Sequence, residues 1–193
     1  MRELKERILA EGEVLPGNIL KVDGFLNHQL DIPLLCHIGQ ELARRFAGKE
    51  ITKILTIEAS GIAVACIAAQ YFQNVPVVFA KKAKSQNLDE ANLFKSEIFS
   101  YTYQKYVTLL IAKAWLRPGD KVLVVDDFMA NGEALRGVIE IVRQAGAELI
   151  GVGIAIEKGF QGGGDRLREQ GIDVQSLAIV DSLEDGRVVF REE

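Results

Sequence analysis

Cysteine, histidine and surplus basic charge are all scarce in this chain. Of 193 residues only two are cysteine and two are histidine. Cys36 and Cys66 each fall inside an apolar helical pattern, so they read as buried thiols in a reducing compartment. That reading excludes a disulfide framework and a zinc site. His28 and His37 have no partner that spacing identifies and read as structural. Basic residues number 23 against 27 acidic, for a net charge of -4. A general nucleic-acid binder needs the opposite balance. No apolar run is long enough to span a bilayer and no signal peptide opens the chain, which points to the cytoplasm. Repeats, low-complexity runs and linkers are missing as well. What is left, 48% apolar and 26% charged, is an ordinary globular composition. The length suits one compact domain over residues 1–193 with a sizeable core.

The chain opens on a short amphipathic helix over 2–12, with Leu4, Ile8 and Leu9 among charges. A short strand is expected within 15–22, and Asp23-Gly24 then turns the chain. Asp31 has the position of an N-cap with Pro33 just inside the next helix. That helix presents Leu35, Ile38, Leu42 and Phe46 and stops at Gly48. From there strand and helix alternate: a strand at 54–57, a helix over 61–72, a strand at 77–79. Such alternation implies parallel crossovers. Residues 81–96 are polar and weakly patterned, and a loop that long is usually functional or mobile. Two segments, 96–102 and 107–112, read as an antiparallel pair. Later come a buried strand at 149–156, a glycine break at 162–164, a short helix at 165–170 and two short strands at 176–179 and 188–190. The fold class is a parallel α/β sheet with a small hood built from the chain ends.

One stretch organises the rest. Val122-Leu123-Val124-Val125 is a strand buried on both faces, followed by Asp126 and Asp127 at its carboxyl end, where open parallel sheets place their ligands. A short loop with Gly132 leads into a helical pattern of Leu135, Val138, Ile139 and Val142. The start of such a helix aims unpaired N–H groups at the loop and makes an anion site. Acids beside an anion site would repel a bare phosphate. They make sense if they hold sugar hydroxyls or a divalent cation while the helix end takes a phosphate, and ribose 5-phosphate fits both. A bare Asp-Asp can equally start a loop and cap a helix, so the pair alone does not decide.

The stretch from Val122 to Leu135 resembles the phosphoribosyl pyrophosphate (PRPP) motif of the type I phosphoribosyltransferases. It departs from the commonest form, in which Thr or Ser flanks the glycine. Here Asn131 and Glu133-Ala134 stand instead, so backbone N–H groups and the Asn131 amide would have to hold the phosphate. The Ala-Asn-Gly form is similar to the bacterial members that act on xanthine. The likeness extends to Leu20-Lys21-Val22-Asp23, Phe25-Leu26-Asn27-His28-Gln29, Glu58-Ala59-Ser60-Gly61-Ile62 and Ile156-Glu157-Lys158-Gly159-Phe160.

The resemblance implies transfer of the 5-phosphoribosyl group from PRPP to a 6-oxo purine, xanthine, with Mg²⁺ bound alongside PRPP and a homodimer as the working form. Asp126 and Asp127 become the catalytic pair at the ribose. Ala130, Asn131, Gly132, Glu133 and Ala134 wrap the 5-phosphate. Ala59, Ser60 and Gly61 form the pyrophosphate loop, with Lys81 and Lys82 of the polar segment as counter-charges. For the base, Lys158 has donors only and so suits a 6-oxo group over a 6-amino group. Phe160 can stack on the purine, Asn27 offers both donor and acceptor at the 2-position, and Leu20 gives apolar contact. Taken singly these are also an ordinary surface lysine, core phenylalanine and turn asparagine. Guanine or hypoxanthine as the base is one alternative. A PRPP-sensing regulator is the other, although the residues ahead of Ile54 are too few and too little basic for a winged helix.

Overall fold

The computed structural model describes residues 1–83, 90–100 and 105–192. At its centre is the strand Lys121–Met129, whose apolar residues divide between two cores. Leu123 and Val125 belong to one buried cluster, Val122 and Val124 to the other. Both faces of the sheet are covered, which is why this strand runs apolar without alternation.

In chain order the elements are α1 (Arg2–Glu11), β1 (Glu13–Leu15), β2 (Ile19–Lys21), α2 (Ile32–Arg45), β3 (Lys53–Ile57), α3 (Ser60–Ala69), β4 (Val77–Ala83), β5 (Leu93–Ser100) and β6 (Lys105–Ala112). They continue with β7 (Lys121–Met129), α4 (Glu133–Gln144), β8 (Glu148–Lys158), α5 (Gly163–Glu169), β9 (Val174–Ser182) and β10 (Val189–Phe190). Eight strands form one sheet in the order β10-β9-β8-β7-β3-β4-β6-β5. The run from β9 to β4 is parallel, and β10, β6 and β5 add antiparallel edges. Residues of α1, α2 and α3 cover one face, while α4 and Leu167 of α5 cover the other. Gly39 lets α2 approach α3, since a side chain there would stand 2.7 Å from the Tyr71 ring and 3.0 Å from Ala68 Cα. Asp31 caps α2 as expected, accepting from Leu34 N–H at 3.1 Å.

Several expectations are revised. The short strand expected within 15–22 is β2, but it does not stand alone: it pairs with β1 across a turn in which Gly17 and Asn18 take positive φ. Leu9 is 61% exposed, so only Leu4 and Ile8 anchor α1. Neither cysteine is buried, because Cys66 lies on the outer side of α3 and Cys36 is half-buried. The polar segment is shorter at both ends than 81–96. Strand β4 carries Lys81 and Lys82 and pairs with β6, while β5 begins at Leu93. Residues 84–89, with Lys84, and 101–104 lie outside the described residues. Strands β8 and β9 outrun their apolar cores to Lys158 and Ser182. Among the described residues no helix is long and apolar enough to cross a membrane.

Candidate active site

The chain leaves β3 toward β4 on one side and β7 toward β8 on the other, yet β3 and β7 are neighbours. The carboxyl ends of two strands whose connections diverge leave a crevice, and open α/β sheets bind ligands there. Both strand-to-helix turns singled out in the sequence border this crevice: 58–61 after β3 and 130–134 after β7.

Asp126 and Asp127 fall in the last part of β7, with only 8% and 5% of their surface exposed. Asp126 Oδ1 accepts the N–H of Asp127 at 3.1 Å. Burial first, and then the neighbouring Asp127 charge, push the Asp126 carboxyl well above the usual carboxylate range, while Lys82 pulls it back down. Asp127 accepts instead from the Asn27 amide, across the gap to the hood. A carboxyl that resists ionisation beside a second acid is held ready for a ligand that brings hydroxyl donors or positive charge.

The turn after β3 contains a cis peptide between Glu58 and Ala59. Ser60 opens α3, and Gly61 is buried directly against Asp126. A methyl group on Gly61 would collide with Asp126 Oδ1 and Thr56 Oγ1. Asp126 and the turn after β3 are therefore in contact. Glu58 accepts the backbone N–H of Lys82 and fixes β4 beside the turn.

The turn after β7 borders a cavity of about 190 Å³ whose wall includes Ala130 to Leu135, Phe128, Gln161 and Lys82. Gly132 has φ +80°, a conformation suited to glycine. Asn131 Oδ1 accepts from Glu133 N at 3.2 Å, so the amide oxygen braces the loop. The Glu133 carboxylate turns outward to Arg136 at 2.7 Å. Strand alternation separates the two lysines of β4. Lys82 reaches this cavity, whereas Lys81 lines an apolar groove of about 460 Å³ with Phe79, Leu110 and Trp115.

On the other side, Lys158 ends β8, and its Nζ donates to Asn18 O at 3.0 Å, tying the sheet to the hood hairpin. Burial lowers its pKa from the usual lysine value. Phe160 follows in a short turn, 37% exposed, and Leu20 is buried on β2. Asn27 sits at the end of a π-helical turn, Asp23–Asn27.

Three supports of the site went unread in the sequence. Thr56 Oγ1 is fully buried beside Asp126 and Gly61 and has no hydrogen-bond partner among the described residues. Glu157 is fully buried and paired with Arg168 at 2.7 and 3.0 Å, with Ser176 Oγ donating to it as well. Gly163 packs against the backbone of Ala130, Asn131 and Gly132. Only the glycine run 162–164 left a local signal, and it read as a chain break.

A profile described as Phosphoribosyl transferase domain matches residues 26–182. Xanthine phosphoribosyltransferase of Laribacter hongkongensis is 59% identical over 190 residues, covering 98% of this chain and 100% of its own. Its counterpart from Bifidobacterium adolescentis is 57% identical over 193 residues, covering 99% and 100%. Among solved structures, APRTase from Giardia lamblia in complex with 9-deazaadenine superposes with TM-score 0.76 at 24% identity over 91% of this chain and 96% of that one. Adenine phosphoribosyltransferase from Rhodothermus marinus gives 0.74 at 22% identity, over 93% and 100%. These two share the fold. With the profile spanning both turns of the crevice and relatives matched end to end, the chain belongs to the phosphoribosyltransferase family.

Proposed function

We propose that this chain transfers the 5-phosphoribosyl group of PRPP to xanthine in purine salvage, giving xanthosine 5'-monophosphate and pyrophosphate, with residues 1–193 acting as one domain. The observation that carries the reading is the buried Asp126–Asp127 pair set between two strand-to-helix turns at the divergence of β3 and β7. Xanthine as the base follows from the full-length relatives that bear that name. The base nitrogen attacks the anomeric carbon while the bond from that carbon to pyrophosphate breaks. Positive charge then builds on the ribose and negative charge on the leaving group, and preorganised groups aimed at both carry the catalysis.

In this reading Asp126 and Asp127 accept from the ribose 2- and 3-hydroxyls, and their field favours an oxocarbenium-like ring. Backbone donors of 130–134 hold the 5-phosphate. Ala59 to Gly61 and Lys82 face the pyrophosphate, and Lys81, on the outer groove, is left out. Mg²⁺ bound with PRPP supplies neutralisation of the pyrophosphate. Burial first, and then the Asp127 charge, raise the proton affinity of Asp126, and a cation beside the two acids would offset that charge. No cluster of three or more His, Cys, Asp or Glu forms a metal cage among the described residues, so PRPP's own oxygens would be the main ligands. Lys158 donates to the 6-oxo group, Phe160 stacks on the ring and Leu20 closes the apolar side.

Asn27 admits a second reading of the base. One N–H of its amide donates to Asp127, which leaves the second N–H and the amide oxygen for a ligand. The N–H suits the 2-oxo group of xanthine, and the oxygen suits the 2-amino group of guanine. Offering xanthine, guanine, hypoxanthine and adenine separately with PRPP and Mg²⁺ decides the matter by product detection. Xanthosine 5'-monophosphate is expected as the fastest product. Faster conversion of guanine would replace xanthine, and no nucleotide from any base would leave a PRPP-binding protein without catalysis. A homodimer in the cytoplasm belongs to the same reading; exposed Phe79 and Trp115 beside the apolar groove support it.

A further inference from the structure

We propose that Arg166 is a positioning residue that holds the 130–134 loop in its phosphate-binding form. The inference rests on the reading of that loop as the 5-phosphate site. Ala130-Asn131-Gly132-Glu133-Ala134 contains no hydroxyl, so its grip on a phosphate depends on backbone N–H groups. Consecutive N–H groups make an anion cradle only while the intervening carbonyls point away. A loop with Ser or Thr side chains can tolerate some backbone drift, because hydroxyls on rotating bonds still find the oxygens. This loop has no such reserve.

Two contacts from outside and one within the loop hold its backbone. Arg166 Nη2 donates to Asn131 O at 2.9 Å and to Gln161 O at 3.2 Å. The guanidinium thus fixes the Asn131 carbonyl in place and links the loop to Gln161, which forms another part of the same wall. Gly163 lies under Gly132, with its Cα 3.3 Å from where a Gly132 side chain would begin. Asn131 Oδ1 takes the Glu133 N–H at 3.2 Å. Of these three, Arg166 alone acts through a flexible, solvent-exposed side chain, so it can be removed without opening the core. Its fixed charge also raises the potential felt by a phosphate held in the loop.

The test is calorimetric titration of ribose 5-phosphate and of inorganic pyrophosphate, each alone, into the parent protein, Arg166→Ala and Arg166→Lys. Arg166→Ala is expected to bind ribose 5-phosphate at least about tenfold more weakly, the size of one lost hydrogen bond to a charged donor. Pyrophosphate affinity and the melting temperature should match the parent, and Arg166→Lys, which keeps one donor and the charge, should fall between. Ribose 5-phosphate affinity within about twofold of the parent would overturn the inference. So would an equal loss for pyrophosphate, because that is what general loosening of the site produces. A parent chain that binds ribose 5-phosphate with this Arg166 dependence but makes no nucleotide from any base removes the transferase reading and leaves the loop assignment standing.

Discussion

At the residue scale, Asp126 is a carboxyl that the fold keeps from ionising at its ordinary pH. Burial and Asp127 raise its proton affinity in the folded chain. For a carboxyl shifted upward, the fold binds a proton that the unfolded chain has released. Stability from this group is therefore complete below the ordinary carboxylate range and is lost as pH rises toward the shifted value. Asp126→Asn keeps the shape and removes the charge. It should melt about 2–4 °C above the parent at pH 8, the shift expected per kcal/mol in a chain of this size. The gain should shrink toward pH 4 and come with loss of transfer activity. Parallel melting curves across that range would mean the buried acid carries no strain of charge. Asn27 gives a second test. Asn27→Asp sets a third carboxylate against Asp127, so activity toward every base should fall. The kcat/KM ratio should still move from xanthine toward guanine by at least about tenfold, because the 2-position then meets only acceptors. An unchanged ratio would show that Asn27 does not read that position. The identities of Asp126, Asp127, Lys158 and Asn27 were legible in the sequence as a pattern. Their pairing was not: the Asn27–Asp127 bond joins residues a hundred positions apart, and no local spacing encodes it.

At the scale of elements, the site is held by how β8 and α5 meet. Glu157 is buried immediately before Lys158, and Arg168 reaches back from α5 to pair with it. Glu157, above all, raises the arginine's pKa. Gly164 has no side chain because one would collide with the Glu157 carboxylate. Arg168→Met strands a buried carboxylate, and equilibrium urea unfolding should show a loss of about 3–5 kcal/mol. A loss below about 1 kcal/mol would place the pair among ordinary surface bridges. Gly163→Ala acts differently. The new methyl meets only backbone, 2.6 Å from Gly132 N, so the 130–134 loop must shift. Ribose 5-phosphate binding should drop by at least about tenfold. Unchanged affinity would mean the loop can retreat without losing its cradle. Most helices and parallel strands were readable because their apolar periods are long. β4 was cut short because Lys81 and Lys82 look like loop residues, yet an edge segment paired with β6 can carry charge on both sides. The partner strand β1 was not read from the sequence because it is only three residues long, although Gly17 and Asn18 take the positive φ of the turn that joins it to β2.

At the scale of the whole molecule, strand order decides where chemistry can occur. The sequence alternation implied a parallel sheet, but the adjacency of β3 and β7 arises from long-range pairing. That adjacency brings the 58–61 turn against Asp126. If the exposed aromatic groove around Trp115 is where two copies meet, light scattering should give twice the chain mass at micromolar concentration. Trp115→Asp should shift the protein toward monomer, and a parent that is already monomeric would end the dimer proposal. The central claim is that the Asp126–Asp127 pair holds the ribose of PRPP in the transition state. Asp127→Asn is its most direct test, since the amide oxygen can still accept from Asn27 and preserve the fold. Steady-state assay with PRPP, Mg²⁺ and xanthine should show kcat/KM reduced by at least about 100-fold, the loss of roughly 2.7–4 kcal/mol expected for one transition-state contact, with an unchanged melting temperature. A folded variant retaining kcat/KM within about threefold of the parent would contradict the assignment of the site.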